Sequence, residues 1–174
     1  MPRPIHYRSR WETPAQRVFE TLADREYLEA RLARLGGKGA ALLKLEVGTD
    51  PAVHAEYTMR QGVDRQNLPS VIQRVLPGDL VIERTESWRR TAPGSYDGTF
   101  VATVVAAPGR INGTLRLADL ADIGGGRAGS EFAMDGSAHV PLPLIGGKLE
   151  TVIAEQVQRL VDKETRFAVA WLAR

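Results

Sequence analysis

The stretch IGGKLETVIAEQVQRLVDKETRFAVAWL, Ile145 to Leu172, decides how the rest of the chain is read. Nothing breaks a helix after Gly146-Gly147, so about 27 residues run on as one rod of roughly 40 Å. At about 100° per residue, Leu149, Val152, Ile153, Leu160, Phe167 and Trp171 fall on one face. Thr151, Glu155, Gln158, Arg159, Asp162 and Arg166 fall on the other. An amphipathic rod of this length must cover an apolar surface of matching length. The concave side of a β-sheet is the expected partner, and the residues upstream supply one.

From Ala40 to Val140 the pattern is mostly of period two, which signals strands with one buried face. Leu43, Leu45 and Val47 alternate with Leu42, Lys44 and Glu46. Val53, Ala55, Tyr57 and Met59 alternate with His54, Glu56, Thr58 and Arg60. Leu80, Ile82, Arg84, Glu86 and Trp88 oppose Val81, Glu83, Thr85 and Ser87. Three further runs carry Tyr96, Phe100, Ala102 and Val104; then Ile111, Leu115 and Leu117; then Phe132, Met134 and Ala138. Pro4 to Trp11 adds a strand at the start, for about seven in all. Most are joined by short turns, so the sheet is expected to be antiparallel. Thr13-Pro14-Ala15-Gln16 predicts a capped helix start. Asp24 predicts a second one, and Gly36-Gly37 its end. Leu68 to Leu76 interrupts the meander and reads as a short helix of two turns, either a lid over an opening or a plug that completes the core.

The chain has 174 residues, the length of one domain spanning 1–174. It has no cysteine, which excludes disulfides, thiolate metal sites and a cysteine nucleophile. The formal net charge is +2, too small for a nucleic-acid binder, and the arginines are spread from Arg3 to Arg174. No apolar run reaches the ~18–20 residues of a membrane span, and no secretory leader is evident, so a cytoplasmic location is expected.

The order of strand, two short helices, antiparallel meander and long C-terminal helix resembles the helix-grip fold. That is the fold of the START, birch-pollen-allergen-like and polyketide-cyclase (SRPBCC) superfamily. RSRWETPAQRVFETLAD resembles the superfamily's opening strand and helix. LPGDLVIERTESWR and VPLPLIGGKLETVIAEQ are similar to stretches of an uncharacterised actinobacterial family within it. The resemblance implies an α+β fold with a deep apolar cavity between sheet and long helix, used for lipids, sterols, polyketides or similar ligands. The superfamily has no universal catalytic residues to transfer.

Tyr57, Met59, Phe100, Leu115, Phe132 and Met134 are the bulky residues of the expected inner face, to be read either as core or as pocket lining. Ile82, Arg84, Glu86 and Trp88 share a strand face with one another. An Arg and a Glu there either orient a polar ligand head or satisfy each other, and a bulge near Thr85 would turn both outward. Gln156 falls between Val152-Ile153 and Leu160 on the long helix, where its amide needs either a ligand or a strand group. These thirteen positions, Val152, Gln156 and Leu160 included, are the expected ligand-binding set. His6, His54 and His139 are scattered without ligand spacing, so no metal site is expected. No catalytic residue, cofactor or phosphate loop is assigned; the glycines at 124–126 and 146–147 lack the spacing. Pro141-Leu142-Pro143-Leu144-Ile145 is either an exposed membrane or partner contact or a staple at the helix entry. Oligomeric state is left open.

The residues therefore point first to a binding module for a hydrophobic or amphipathic small molecule. The alternative is a cyclase or dehydratase type of enzyme on the same fold, with Arg84 or Tyr57 stabilising an enolate and Glu86 moving the proton. A third reading has the interior filled by side chains and the surface doing the work.

Overall fold

A computed structural model describes all 174 residues. The elements in chain order are β1 (Arg3–Trp11), α1 (Ala15–Leu22), α2 (Arg25–Leu35), β2 (Ala41–Gly48), β3 (His54–Val63), α3 (Ser70–Gln73), β4 (Leu80–Ala92), β5 (Ser95–Val104), β6 (Arg110–Leu120), β7 (Gly129–His139) and α4 (Gly146–Leu172). The seven strands form one sheet in the order β1-β7-β6-β5-β4-β3-β2, with every pairing antiparallel. Strands β2 to β7 follow one another as a meander, and β1 returns to the edge beside β7. The two short helices follow β1, as expected. The α4 helix spans the predicted residues and packs chiefly on β1 and β7.

The register explains how the inner face is floored. Arg84 stands between Met59 and Ala102, and Glu86 between Tyr57 and Phe100. The strand is regular at Thr85, so Arg84, Glu86 and Trp88 all point inward. Trp88 lies along the sheet over a glycine of the neighbouring strand β5, and Phe100 reaches across β6 to a glycine of β7. A Cβ added at Gly98 would stand 3.0 Å from the Trp88 ring, and one at Gly136 would stand 2.7 Å from the Phe100 ring. Glycine at these two places lets large rings lie flat on the sheet.

Four local expectations need correction. The α1 helix has Pro14 at its cap with no side-chain hydrogen bond, so Thr13 and Gln16 form no capping box. Its first free N–H, on Ala15, goes instead to the Asp119 carboxylate at 2.7 Å, and Gln16 turns outward to Glu20. A long-range partner has taken the role of a local one. Asp24 does cap α2, accepting the Tyr27 N–H at 2.8 Å. In β2 a bulge between Leu42 and Lys44 breaks the alternation, placing Leu43 and Val47 in solvent and Leu42 and Leu45 against the core. Between Leu68 and Leu76 only one turn, α3, is α-helical. Leu68, Ile72 and Leu76 form a separate small core with Val140 and Leu149.

The fourth correction concerns α4. Its most deeply buried residues include Glu150, Ala154, Val161, Glu164 and Ala168. These lie roughly a quarter-turn from the bulky stripe of Leu149, Val152, Ile153, Leu160 and Phe167. Small residues at seven-residue spacing, Ala154, Val161 and Ala168, bring the helix down close to the sheet edge. Of the bulky stripe only Leu149 is buried; Val152, Ile153, Leu160 and Phe167 stay half-buried. The helix thus presses on one side and stands off on the other.

Candidate functional site

Two chambers lie where α4 stands off. They share Ile82, Ala102, Ile111, Val157 and Leu160 in their walls, so they adjoin. The inner one, of about 90 Å³, sits between the middle of the sheet, α2 and α4. The outer one, of about 570 Å³, extends to Leu68, Ile72 and Leu76 on one side and to Val140, Leu142 and Leu149 on another.

The inner chamber holds a buried ionic cluster. Arg84 Nη2 donates to Glu164 Oε1 at 2.8 Å, and Arg84 Nε lies 3.3 Å from Glu86 Oε1. The second contact is an ion pair without hydrogen-bond alignment. The other oxygen of Glu86 accepts from Tyr57 Oη at 2.6 Å and from Trp88 Nε1 at 3.3 Å. Arg31 enters from α2, close to Glu164, with its guanidinium 3.0 Å from Met59 Sδ and 5.6 Å from the centre of the Tyr27 ring. Two arginines and two glutamates leave no net formal charge. Isolated charges at this depth would cost several kcal/mol each, so mutual pairing is the condition for their presence.

The protonation states follow from that pairing. Burial pushes the Glu164 carboxyl up, but the Arg84 and Arg31 guanidiniums outweigh it and hold the group below its ordinary 4.5. Burial lowers both arginines, and Glu164 together with Glu86 and the other neighbouring groups more than reverses this. Burial and the Glu86 carboxylate push the Tyr57 hydroxyl well above 10.0, and burial raises Tyr27. Both tyrosines are therefore neutral donors. Trp11 Nε1, Tyr27 Oη and Arg31 Nε, on residues that line this chamber, are buried without a hydrogen-bond partner. The chamber itself has room for a few waters.

The thirteen expected residues divide. Ile82, Arg84, Glu86, Phe100, Leu115, Phe132, Met134 and Leu160 line the inner chamber. Tyr57, Met59 and Trp88 stand behind its wall, fully or nearly fully buried, where they support the cluster. Val152 packs on the small core, outside either lining. Gln156 is exposed and lines the outer chamber beside Arg159 and Leu160. The segment Pro141 to Ile145 splits between its two readings. Leu142 packs inward on the small core, whereas Leu144 is wholly exposed and has a positive φ of 69°. Glu150 fastens this entry by accepting the Val140 N–H at 2.8 Å, with His139 Nδ1 at 3.3 Å.

Arg31, Gln61 and Glu164 were absent from the expected set. A signal existed for two of them. Arg31 is four residues after Tyr27 and three after Leu28, on the same helical face. Glu164 lies three residues after Val161 and four before Ala168, within a row of small residues that marks close packing. Neither was singled out in the sequence, because a charged side chain is ordinarily solvated.

The profile of a family described as "Protein of unknown function (DUF2505)" matches residues 6–172. The chain belongs to the DUF2505 family. Uncharacterised members of the curated proteins from Mycobacterium tuberculosis and Mycobacterium bovis are each 30% identical to it over 174 residues, covering 99% of this chain and 98% of theirs. Among solved structures, a conserved protein from Geobacillus kaustophilus superposes with a TM-score of 0.58 at 13% identity, covering 98% of this chain and 95% of that one. A START superfamily protein from Mycobacterium smegmatis superposes with a TM-score of 0.52 at 13% identity, covering 97% and 98%. At such identities the likeness establishes the fold, and this DUF2505 protein has the START-like helix-grip architecture. None of its helices is long and apolar enough to cross a membrane.

Proposed function

We propose that this DUF2505 protein binds a hydrophobic or amphipathic small molecule in the outer chamber and shields it from water. The observation that carries the reading is a cavity of about 570 Å³ in which 18 of 28 lining residues are hydrophobic. That volume falls within the range of about 300–1,000 Å³ common for small-molecule sites. The driving term is removal of apolar ligand surface from water, about 2.5 kcal/mol for every ~100 Å² covered. Leu160 and Ile82, at the junction of the chambers, would meet the far end of the ligand. Leu68, Ile72 and Leu76 would form one wall beside the mouth.

Binding is supported over chemistry by how the buried charges are occupied. One oxygen of Glu86 and one of Glu164 accept hydrogen bonds from the chain itself, and the other Glu86 oxygen is ion-paired with Arg84. A general base needs a carboxylate within reach of a substrate proton, and these are engaged with their own neighbours.

The test uses Val104→Trp, a half-buried β5 position lining only the outer chamber. Native mass spectrometry of protein purified from its own host, with titration of the neutral dye Nile red, reads occupancy. Wild-type protein binds the dye and carries a co-purified apolar molecule, and Val104→Trp loses both. Wild-type protein that binds neither would overturn the proposal.

A further inference from the structure

The outer chamber has a one-signed mouth. Arg34, Arg110, Arg159 and Lys163 all line it, and no aspartate or glutamate does. All four are exposed, and none is ion-paired, although ten of the chain's other basic Arg and Lys residues are. Composition does not account for this. The chain carries 23 lysines and arginines against 21 acidic residues. The groove on the opposite, convex face of the sheet mixes both signs, with Arg8, Arg89 and Arg116 among Glu56, Asp97 and Asp135.

Local helix chemistry does not account for it either. Arg34 lies in the last turn of α2, where a cation suits the helix dipole. Arg159 and Lys163 have no such reason. They stand one turn apart on α4, a like-charge spacing that costs the helix a few tenths of a kcal/mol. Gln156, one turn before Arg159, extends the same row of donors along the mouth. The cations therefore border a deep apolar hollow, and one molecule satisfies both only if it carries an apolar body and a negative end.

We propose that the outer chamber takes an amphiphile with an anionic head, a carboxylate or a phosphate, held at the mouth by Arg34, Arg110, Arg159 and Lys163 with its apolar chain inside. The inference rests on the reading of the chamber as an apolar binding site and names the ligand class for it. Guanidiniums suit such heads because they donate paired hydrogen bonds to two oxygens of one anion. The mouth is wet, so the head adds selectivity to an affinity that comes from the chain.

The experiment compares three probes with the same sixteen-carbon chain, hexadecanoate, hexadecyl phosphate and hexadecan-1-ol, as competitors of Nile red. The expected result is that one or both anions displace the dye at concentrations about tenfold below the alcohol, a difference of about 1.4 kcal/mol. That advantage should fall to about twofold or less in Arg159→Gln/Lys163→Gln, and likewise when salt shortens the screening length to about 3 Å. Displacement by hexadecanoate alone or by hexadecyl phosphate alone supports the inference and identifies the head. Equal displacement by all three, or an anionic advantage unchanged in the double variant, overturns it while leaving the chamber an apolar site. If no probe binds wild-type protein, the inference and the reading beneath it fall together.

Discussion

The two chambers treat charge in opposite ways. In the inner one, Arg31, Arg84 and Glu164 are buried, Glu86 is half-buried beside them, and the four sum to zero. In the outer one, four cations stand at the mouth with no acid among the lining residues. A low-dielectric interior forces neutrality because each unpaired charge would cost several kcal/mol. A wet rim imposes no such demand, so an excess of one sign persists there at little cost to folding. Charges that complete one another hold the fold, whereas charges left over are free to meet a ligand. Substitutions should sort accordingly, with large effects on stability inside and large effects on binding outside.

The sharpest break is at Glu164. Glu164→Gln leaves two buried guanidiniums with Glu86 alone, and should destabilise the protein by about 3–5 kcal/mol in urea denaturation. Combining Glu164→Leu with Arg84→Met should recover much of that loss, since a paired deletion leaves fewer uncompensated charges. A double variant as unstable as the single one would deny the pairing. The same residue sets an acid dependence. Its carboxyl is held below its unfolded value, so its contribution is present above about pH 4.5 and is lost as pH falls through the lower folded value. Stability measured across that range should slope less steeply in Glu164→Gln.

Next in size is Tyr57→Phe, which removes the hydroxyl donor from Glu86 and should cost about 1.5–3 kcal/mol. Tyr57 also sharpens the alkaline side. Its folded value is raised, so its contribution is present below about pH 10 and is lost as pH rises toward the folded value. A urea midpoint that falls above pH 10 in wild-type protein and falls less in Tyr57→Phe would confirm the sign. Smaller effects on stability belong to the outer chamber. Val104→Trp fills open volume and should change stability by less than about 1.5 kcal/mol while abolishing dye binding. Smallest is Arg159→Gln/Lys163→Gln, expected within about 0.5 kcal/mol of wild type by urea denaturation. A loss of several kcal/mol there would erase the contrast between the chambers.

The fold was legible because its signals are periodic. Period two marked the seven strands, and the long run after Gly147 marked α4. Of the two orientations left open for Arg84 and Glu86, the inward one applies because β4 is regular through Thr85. What failed were places where a distant group outbid a local one. Asp119 displaced the expected cap of α1, and the β2 bulge moved Leu43 to the surface. On α4, hydrophobicity pointed to the bulky stripe, yet the tightest packing belongs to Ala154, Val161 and Ala168, which carry little of that signal. Arg31 and Glu164 were hidden by their charge, because only a partner from another element makes burial tolerable.

From the sequence alone came the architecture, the absence of cysteine chemistry, and the strand face carrying Arg84 and Glu86, since each rests on composition or on a repeat along the chain. Where α4 bears down and where it stands off was settled only by the folded structure. So were the clustering of residues from α2, β4 and α4, and the gathering of four scattered cations around one opening. These depend on distances between segments remote in the chain. No local pattern encodes a distance that arises only when a helix, a sheet and a loop are packed together.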